Sequence, residues 1–254
     1  MISPLRAMQP HAGLADFAAL AGLVLAGILV VLAATAIAFR RLNARAPHNR
    51  IQPDRQPLPL RRELMRAPVS ILVIALFFAG GLFCQWQGWA LAPVALRWWN
   101  AGPLLLLSIL LYDAWFYWVH RLLHTRALLR FHAPHHRAHA PTVWTNHNET
   151  PVEAVLNQLF YLLIVFVVPI PWPVLVAHKL YDQFSGMMGH CGFEHFASPM
   201  ARAPWPLAST VFHDNHHRYF HHNFGHSFTF WDRALGTLHP DYDKAVRQFE
   251  PEGS

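Results

Sequence analysis

Two cysteines, Cys84 and Cys191, are all the thiol chemistry the chain has, which excludes a disulfide framework and a thiolate zinc site. Charge is also scarce. Asp, Glu, Lys and Arg make up 13% of the 254 residues against 54% hydrophobic, about half the charged share of an ordinary soluble domain. That balance suggests a membrane protein. No segment alternates apolar and polar as a half-buried strand does, and no internal repeat is visible, so sheet and solenoid architectures are set aside. The net charge of +6 raises nucleic acid as a partner, but the basic residues cluster beside apolar segments. They read as a topology signal, and no nucleic-acid partner is expected.

What the chain has in quantity is apolar runs. Residues 13–39 are long enough to cross a bilayer, and too long and too far from a basic start for a signal peptide. Residues 40–66 carry eight arginines against two acids, which places them in the cytoplasm; their prolines argue against a packed domain there. Residues 67–96 form a second crossing, with Trp86 and Trp89 suited to the far interface, and residues 101–124 a third. Residues 154–190 are broken by "PIPWP" into halves of about 16 residues, read as a tight helical hairpin that goes up and comes back. The basic loop 121–137 and everything after His190 then share the cytoplasmic side with the linker. The expected fold is all-α: a polytopic transmembrane helical bundle with a cytoplasmic histidine-rich helical cap. It divides into residues 1–66 (first helix and linker), 67–245 (main domain) and 246–254 (tail). The expected location is integral and multi-pass, in the inner or plasma membrane if the chain is bacterial.

Seventeen of the nineteen histidines lie between His120 and His239, where the membrane ends. "HRLLH" puts His120 and His124 at i, i+4 on one helical face. "HAPHH" gives His132, His135 and His136, and "HDNHH" gives His213, His216 and His217, both spaced i, i+3, i+4. Residues i and i+4 can point at one metal while i+3 reaches a neighbouring one, so two facing triplets surround two ions. His190 ends the hairpin, with His195 close by. Eight or nine imidazoles exceed one four-coordinate zinc and suit two ions of five or six coordination. The setting argues for iron, because a cluster at the mouth of a lipid-facing bundle meets unactivated alkyl chains, whose C–H bonds need a metal that activates oxygen.

Other polar residues near the clusters have two readings each. Asp113, two turns before His120 and about 10 Å deeper, either orients a ligand imidazole, the favoured role, or makes a helix–helix hydrogen bond. Asp214 is expected to hold an imidazole N–H. Glu149 and Glu153 are candidate bases, Glu153 alternatively a helix cap. His139, Asn146 and His147 are candidates for polar lining. His178 reads as a hydrogen-bonded core residue, His221, His222 and His226 as periphery or surface, and His11 and His48 as incidental.

From about Asp113 to Thr237 the chain resembles the fatty acid hydroxylase / sterol desaturase superfamily of integral-membrane di-iron enzymes. The HxxxH, HxxHH and HxxHH series stands here as His120–His124, His132–His136 and His213–His217. "DAWFYWVHRLLH", "NETPVE", "HHRYFHHNFG" and "WDRALGT" agree around it, the last two fitting the sterol desaturase-like branch better than the carotenoid hydroxylases. Two departures bear on the substrate branch. Thr150 stands where the sterol branch often has a histidine before the proline, and His190 and His195 are five apart where some acyl hydroxylases have an i, i+4 pair. The resemblance implies a helical membrane fold and two non-haem iron ions. It implies His190 as a ninth ligand and His195 as a supporting residue. It further implies hydroxylation of a lipid alkyl chain or sterol-like substrate with O2 as co-substrate, or desaturation on the same site. With no cytochrome b5-like or cysteine-rich segment, electrons are expected from a separate ferredoxin- or cytochrome b5-like donor, for which the basic face suits an acidic carrier. The rivals are a zinc hydrolase, which would leave histidines idle, and a histidine-rich membrane metal-handling protein. The latter is disfavoured by an expectation that the membrane segments hold few polar groups besides Asp113 and His178.

Overall fold

The computed structural model describes residues 13–251; His11 lies outside them. Helix α1 (Leu14–Arg45) has 32 residues, about 48 Å of rise against a hydrocarbon core of about 30 Å, so it projects well beyond an apolar slab. Its first turn is fixed by the Asp16 carboxylate, which accepts the Gly13 N–H at 2.7 Å, and its last turns carry Arg40, Arg41 and Arg45. Helix α2 (Leu60–Glu63) leads into α3 (Ala67–Trp86), and α4 spans Trp98–Leu123. The helices Leu14–Arg45, Leu60–Trp86 and Trp98–Leu123 are long and apolar enough to cross a membrane. At Gly81 of α3 an added Cβ would meet the Tyr161 carbonyl, a close approach that seats α3 against the next long helix.

That helix is α6 (Pro151–Val167), which follows the short α5 (Leu129–His132). It starts on a capping box: Thr150 accepts the Glu153 N–H through its side chain, Glu153 reaches back to the Thr150 N–H, and Pro151 sits at the first helical position. "PIPWP" ends α6, and α7 (Trp172–Gly189) restarts with Pro171 as its cap. The hairpin is thus formed, but its two helices are not apolar all round. Asn157 and Gln158 of α6 are buried with Lys179, Asp182 and Gln183 of α7. The expectation of few polar groups in the membrane segments is overturned. Lys179 bridges the two helices, while Asn157 donates to Glu149 and Gln183 lies against His147. Lys179 Nζ donates to Gln158 Oε1 at 2.6 Å and to Asp182 Oδ2 at 2.7 Å.

Beyond the membrane helices lies a cap of turns and short helices: α8 (Thr210–Tyr219), α9 (Phe230–Ala234) and α10 (Tyr242–Arg247). Val211 and Phe212 of α8 and Tyr242 and Val246 of α10 share a buried apolar cluster; the boundary expected after residue 245 therefore falls inside α10. No strand is present among the described residues, only isolated bridges such as Arg50 with Phe193. The arginine-rich linker has no core of its own, yet it is sewn to the cap. Gln52 is buried and donates to the His139 carbonyl at 2.8 Å and to Asp214 Oδ1 at 2.7 Å. Buried Glu63 accepts the Thr142 and Thr145 hydroxyls at 2.7 and 2.8 Å.

Candidate metal centre

The end of α4 carries His120 inside its last turn and His124 as its C-cap. His132 ends α5, His135 and His136 sit in the following 3-10 turn, and His190 caps the end of α7. Helix α8 supplies His213, His216 and His217. Gly189 lets α7 approach α8, since a Cβ there would stand 3.4 Å from the Cβ of His213.

The nine imidazoles fall into two groups. His120, His124, His132, His136 and His216 form one, and His135, His190, His213 and His217 the other; in each group the candidate ligand atoms lie within 4.8 Å of one another. In α8 the crossing follows from helical spacing, and the turn from α5 into the 3-10 segment reproduces it at residues 132–136. His132 and His136 share a group while His135 joins the other, and His213 and His217 share a group while His216 crosses over. All but the half-buried His124 are buried.

Hydrogen bonds at the outer ring nitrogens fix what the inner ones present. Nδ1 of His120 faces the Phe224 carbonyl at 2.9 Å, that of His190 the Gly186 carbonyl at 2.7 Å, and that of His216 the His222 carbonyl at 2.6 Å. Nδ1 of His132 meets Glu153 Oε1 at 2.7 Å. Carbonyls and carboxylates accept only, so each Nδ1 carries the proton and each Nε2 is left with a bare lone pair. The Nε2 atoms converge: the two bare ones of His120 and His132 lie 3.1 Å apart, that of His216 lies 3.1 Å from the Nε2 of His136, and that of His190 lies 2.9 Å from the Nε2 of His213. The facing lone pairs of His120 and His132 repel at such a distance unless a cation lies between them. Metal–nitrogen bonds of about 2.1 Å put ligands at right angles about 3.0 Å apart and tetrahedral ones about 3.4 Å apart; the observed 2.9 and 3.1 Å lie close to the right-angle value.

Two further observations fit a metal. Fully buried His217 has no hydrogen-bond partner at either ring nitrogen among the described residues, a costly state for an imidazole without an ion. Burial also pushes the pKa of His132, His135, His136, His213, His216 and His217 well below the usual value, and that of His190 to about 4, so the rings are neutral at pH 7 and free to coordinate. The donor set, imidazole throughout, suits iron, zinc, copper or nickel.

On the membrane side of both groups lies a cavity of about 60 Å³, room for a few waters. His120, His132, His135, His190 and His213 form one wall of it; Asn157, Gln158, Asp182 and Gln183 belong to the other.

The residues expected to support the ligands are placed as follows. Asp113 reaches no imidazole: its Oδ1 accepts the backbone N–H groups of Ser227 and Phe228 at 2.7 and 3.1 Å, holding the 226–228 loop against α4. Asp214 takes Gln52 from the linker, and its other oxygen has no partner among the described residues. Glu149 lines the cavity and accepts the Ser70 hydroxyl at 2.9 Å and the Asn157 amide at 2.7 Å. His147 is buried beside Asn146 and Gln183, with no partner for its Nδ1 among the described residues. His139 is exposed and packs on Phe220, which in turn lies against His136. His195 bonds Asn43 of α1 at 2.7 Å, away from both groups. His178 bonds the Ser108 hydroxyl at 2.6 Å within the core, and His226 lines the cavity with Nε2 3.7 Å from Asp182 Oδ1.

The carboxylate that does touch a clustered imidazole is Glu153, which also caps α6. A Glu153→Gln substitution keeps the capping box but removes the carboxylate behind His132. It is expected to weaken metal binding in the five-histidine group 10- to 100-fold and leave the other group unchanged, as read by titration against a competing chelator. Lys179, Asp182 and Gln183 were the residues overlooked. Their signal was available, as two opposite charges and an amide spaced i, i+3, i+4 within an apolar helix.

Residues 105–237, just over half of the chain, match the profile of the fatty acid hydroxylase family. Among curated proteins the chain is similar to human lathosterol oxidase, 31% identical over 142 residues, covering 56% of this chain and 45% of that one. It is also similar to a probable Delta(7)-sterol 5(6)-desaturase of Neurospora crassa, 26% identical over 193 residues (73% of this chain, 54% of the relative). A third relative is methylsterol monooxygenase 1 of Gallus gallus, 32% identical over 130 residues (49% and 42%). The chain spans about half the length of these relatives. No solved structure matches it. With its apolar helices and paired histidine groups, this is a membrane protein, and the chain belongs to the fatty acid hydroxylase family.

Proposed function

We propose that the chain is an oxidoreductase of membrane lipids, a di-iron enzyme that uses O2 to hydroxylate or desaturate an alkyl or sterol-like carbon. The observation that carries this reading is the gathering of two imidazole groups, buried apart from His124, beside one cavity that residues of both groups line. His120, His124, His132, His136 and His216 would hold one ion, and His135, His190, His213 and His217 the other. Iron at these positions would supply oxygen activation.

The chain's own residues do the rest. The Phe224, Gly186 and His222 carbonyls and Glu153 hold protons at Nδ1 of their imidazoles, which keeps each Nε2 aimed inward. Ile74, Phe116 and Leu123 keep part of the cavity wall dry. Electrons come from a separate ferredoxin- or cytochrome b5-like protein. The arginine-rich linker, packed on the cap, puts both on the cytoplasmic side by the positive-inside rule and offers an acidic carrier a basic face. A metal-conducting role fits less well, because the buried carboxylate Asp182 between α6 and α7 is already ion-paired to Lys179 and is not free to take a passing cation.

The test is a mass comparison of total lipids from cells expressing the chain or its His216→Ala variant together with a competent reductase. A lipid gaining one oxygen only with the intact chain identifies a hydroxylase, and one losing two hydrogens identifies a desaturase. Identical lipids at equal expression would remove the oxidoreductase reading.

A further inference from the structure

At the arginine-bearing end of α1 a cavity of about 730 Å³ opens between that helix, the linker and the cap, within the size range of small-molecule sites. Ala33, Ile37 and Arg40 of α1 line it. Spaced i, i+4, i+7, they form one stripe that rises about 10 Å from apolar surface to the first arginine of the helix. The opposite wall is held by backbone pairing between the linker and the segment after α7. Ile51 N–H donates to the Gly192 carbonyl at 3.1 Å, and Glu194 N–H to the Asn49 carbonyl at 2.9 Å. Gly192, at a φ of +73°, lies so close to the Pro141 carbonyl that an added Cβ would strike it.

The lining separates charge by depth. Exposed Arg40 and half-buried Arg50 stand at the mouth, and neither is in an ion pair among the described residues; Arg50 uses one guanidinium nitrogen on the Arg55 carbonyl. The buried carboxylates of Glu63 and Asp214 line the same cavity, also without an ion pair among the described residues. Gln52 joins them. Its Nε2 donates both to the His139 carbonyl and to Asp214 Oδ1, which fixes the amide, because the flipped form would set an oxygen against two acceptors. Oε1 of Gln52 and Oδ2 of Asp214 then have no partner among the described residues, although these side chains are only 2% and 1% exposed. Buried acceptors beside uncompensated carboxylates call for a cation that carries N–H donors. Two unpaired guanidiniums at the mouth call for a phosphate, and the stripe on α1 calls for hydrocarbon. We propose that this cavity is a site for a phospholipid with a phosphoethanolamine headgroup. Its ammonium donates to Asp214 and Gln52, its phosphate meets Arg40 and Arg50, and its acyl chains start along α1. A choline headgroup brings the positive charge without donors, a glycerol headgroup brings donors without the charge, and a serine headgroup adds a carboxylate facing Glu63 and Asp214. The bound lipid ties α1 and the linker to α8, so it is a structural ligand of the cap. The assignment does not rest on the oxidoreductase reading.

Stepwise methylation of the headgroup amine tests this, because it removes N–H donors one at a time and keeps the charge. The purified full chain, with its metal content measured, is offered dioleoylphosphatidylethanolamine, its monomethyl and dimethyl derivatives, or dioleoylphosphatidylcholine. Retained lipid is read by native mass spectrometry. Retention is expected to fall along the series, by about tenfold from the ethanolamine to the choline lipid. Dioleoylphosphatidylglycerol is expected to stay near the choline level. Arg40 and Ala33 are both exposed, so Arg40→Gln removes a cation from the mouth and Ala33→Trp fills the apolar stripe without disturbing a packed core. Each is expected to lower retention of the ethanolamine lipid about fivefold, with metal content and helicity unchanged. Equal retention of the four lipids of the series, or retention of the ethanolamine lipid indifferent to both substitutions, overturns the proposal.

Discussion

Acidification from about pH 7.5 to about pH 5 is expected to strip the metal from the chain and unfold its cap. Burial holds the clustered imidazoles neutral, with His190 brought down to about 4 from the ordinary 6.5 and His132, His135, His136, His213, His216 and His217 pushed well below it. In the unfolded chain the same rings titrate near the ordinary value. Below it the unfolded state binds protons that the native state refuses, so stability falls as pH falls. The contribution is complete above the unfolded pKa and is lost on the way down to the folded one. Each ring contributes about 1.4 kcal/mol per pH unit in that window. Three rings acting together give about 4 kcal/mol per unit, a large fraction of a typical domain's 5–15 kcal/mol. Metal adds to the same slope, because each coordinating nitrogen must be unprotonated. Metal retained after gel filtration and helicity by circular dichroism, both measured across this range, check the expectation. Chelation beforehand should move the unfolding midpoint to higher pH. Full metal and full helicity at about pH 5 would contradict both the burial and the ligation argued for these rings.

The division of the histidines was legible in the sequence because helical spacing alone sends i and i+4 one way and i+3 the other. That rule sorts His132, His135 and His136, and His213, His216 and His217, as the structure groups them. Their outer partners were not legible. Three of the four Nδ1 partners are backbone carbonyls, at Phe224, Gly186 and His222, and every residue type has one. Asp113 illustrates the opposite failure. It lies on the His120 face of α4 as spacing requires, but the 226–228 loop supplies it with backbone N–H groups. Only tertiary structure brings that loop there. Glu153 stands 21 positions from His132 and reaches it because α5 and α6 meet end to end. In α6 and α7 the sequence signal existed but hydropathy averaged over it. Asn157, Gln158, Lys179, Asp182 and Gln183 occupy one side of each helix, so the apolar side dominates any window mean.

Replacing His217 with leucine is expected to separate ligation from mere packing by the sign of its effect. A wholly buried imidazole with neither nitrogen bonded costs about 1–3 kcal/mol if it is only a core residue. Exchanging it for an apolar side chain of similar size would then leave stability unchanged or raise it. If His217 is a metal ligand, the same change removes one of four donors in its group and leaves His135, His190 and His213 with converging lone pairs and a weakened ion. The expected outcome is the second: bound metal falling from two ions per chain toward one, a lower melting temperature, and a loss of oxidised lipid product of at least about 100-fold, equivalent to about 2.7 kcal/mol of transition-state stabilisation. His221→Leu serves as the control, because His221 is exposed and outside both groups; it should change none of the three readouts. Metal analysis, thermal unfolding and lipid mass spectrometry on the same preparations make the comparison. A His217→Leu chain that keeps two ions and melts higher would remove His217 from the ligand set, and with it the case for an ion in the four-histidine group.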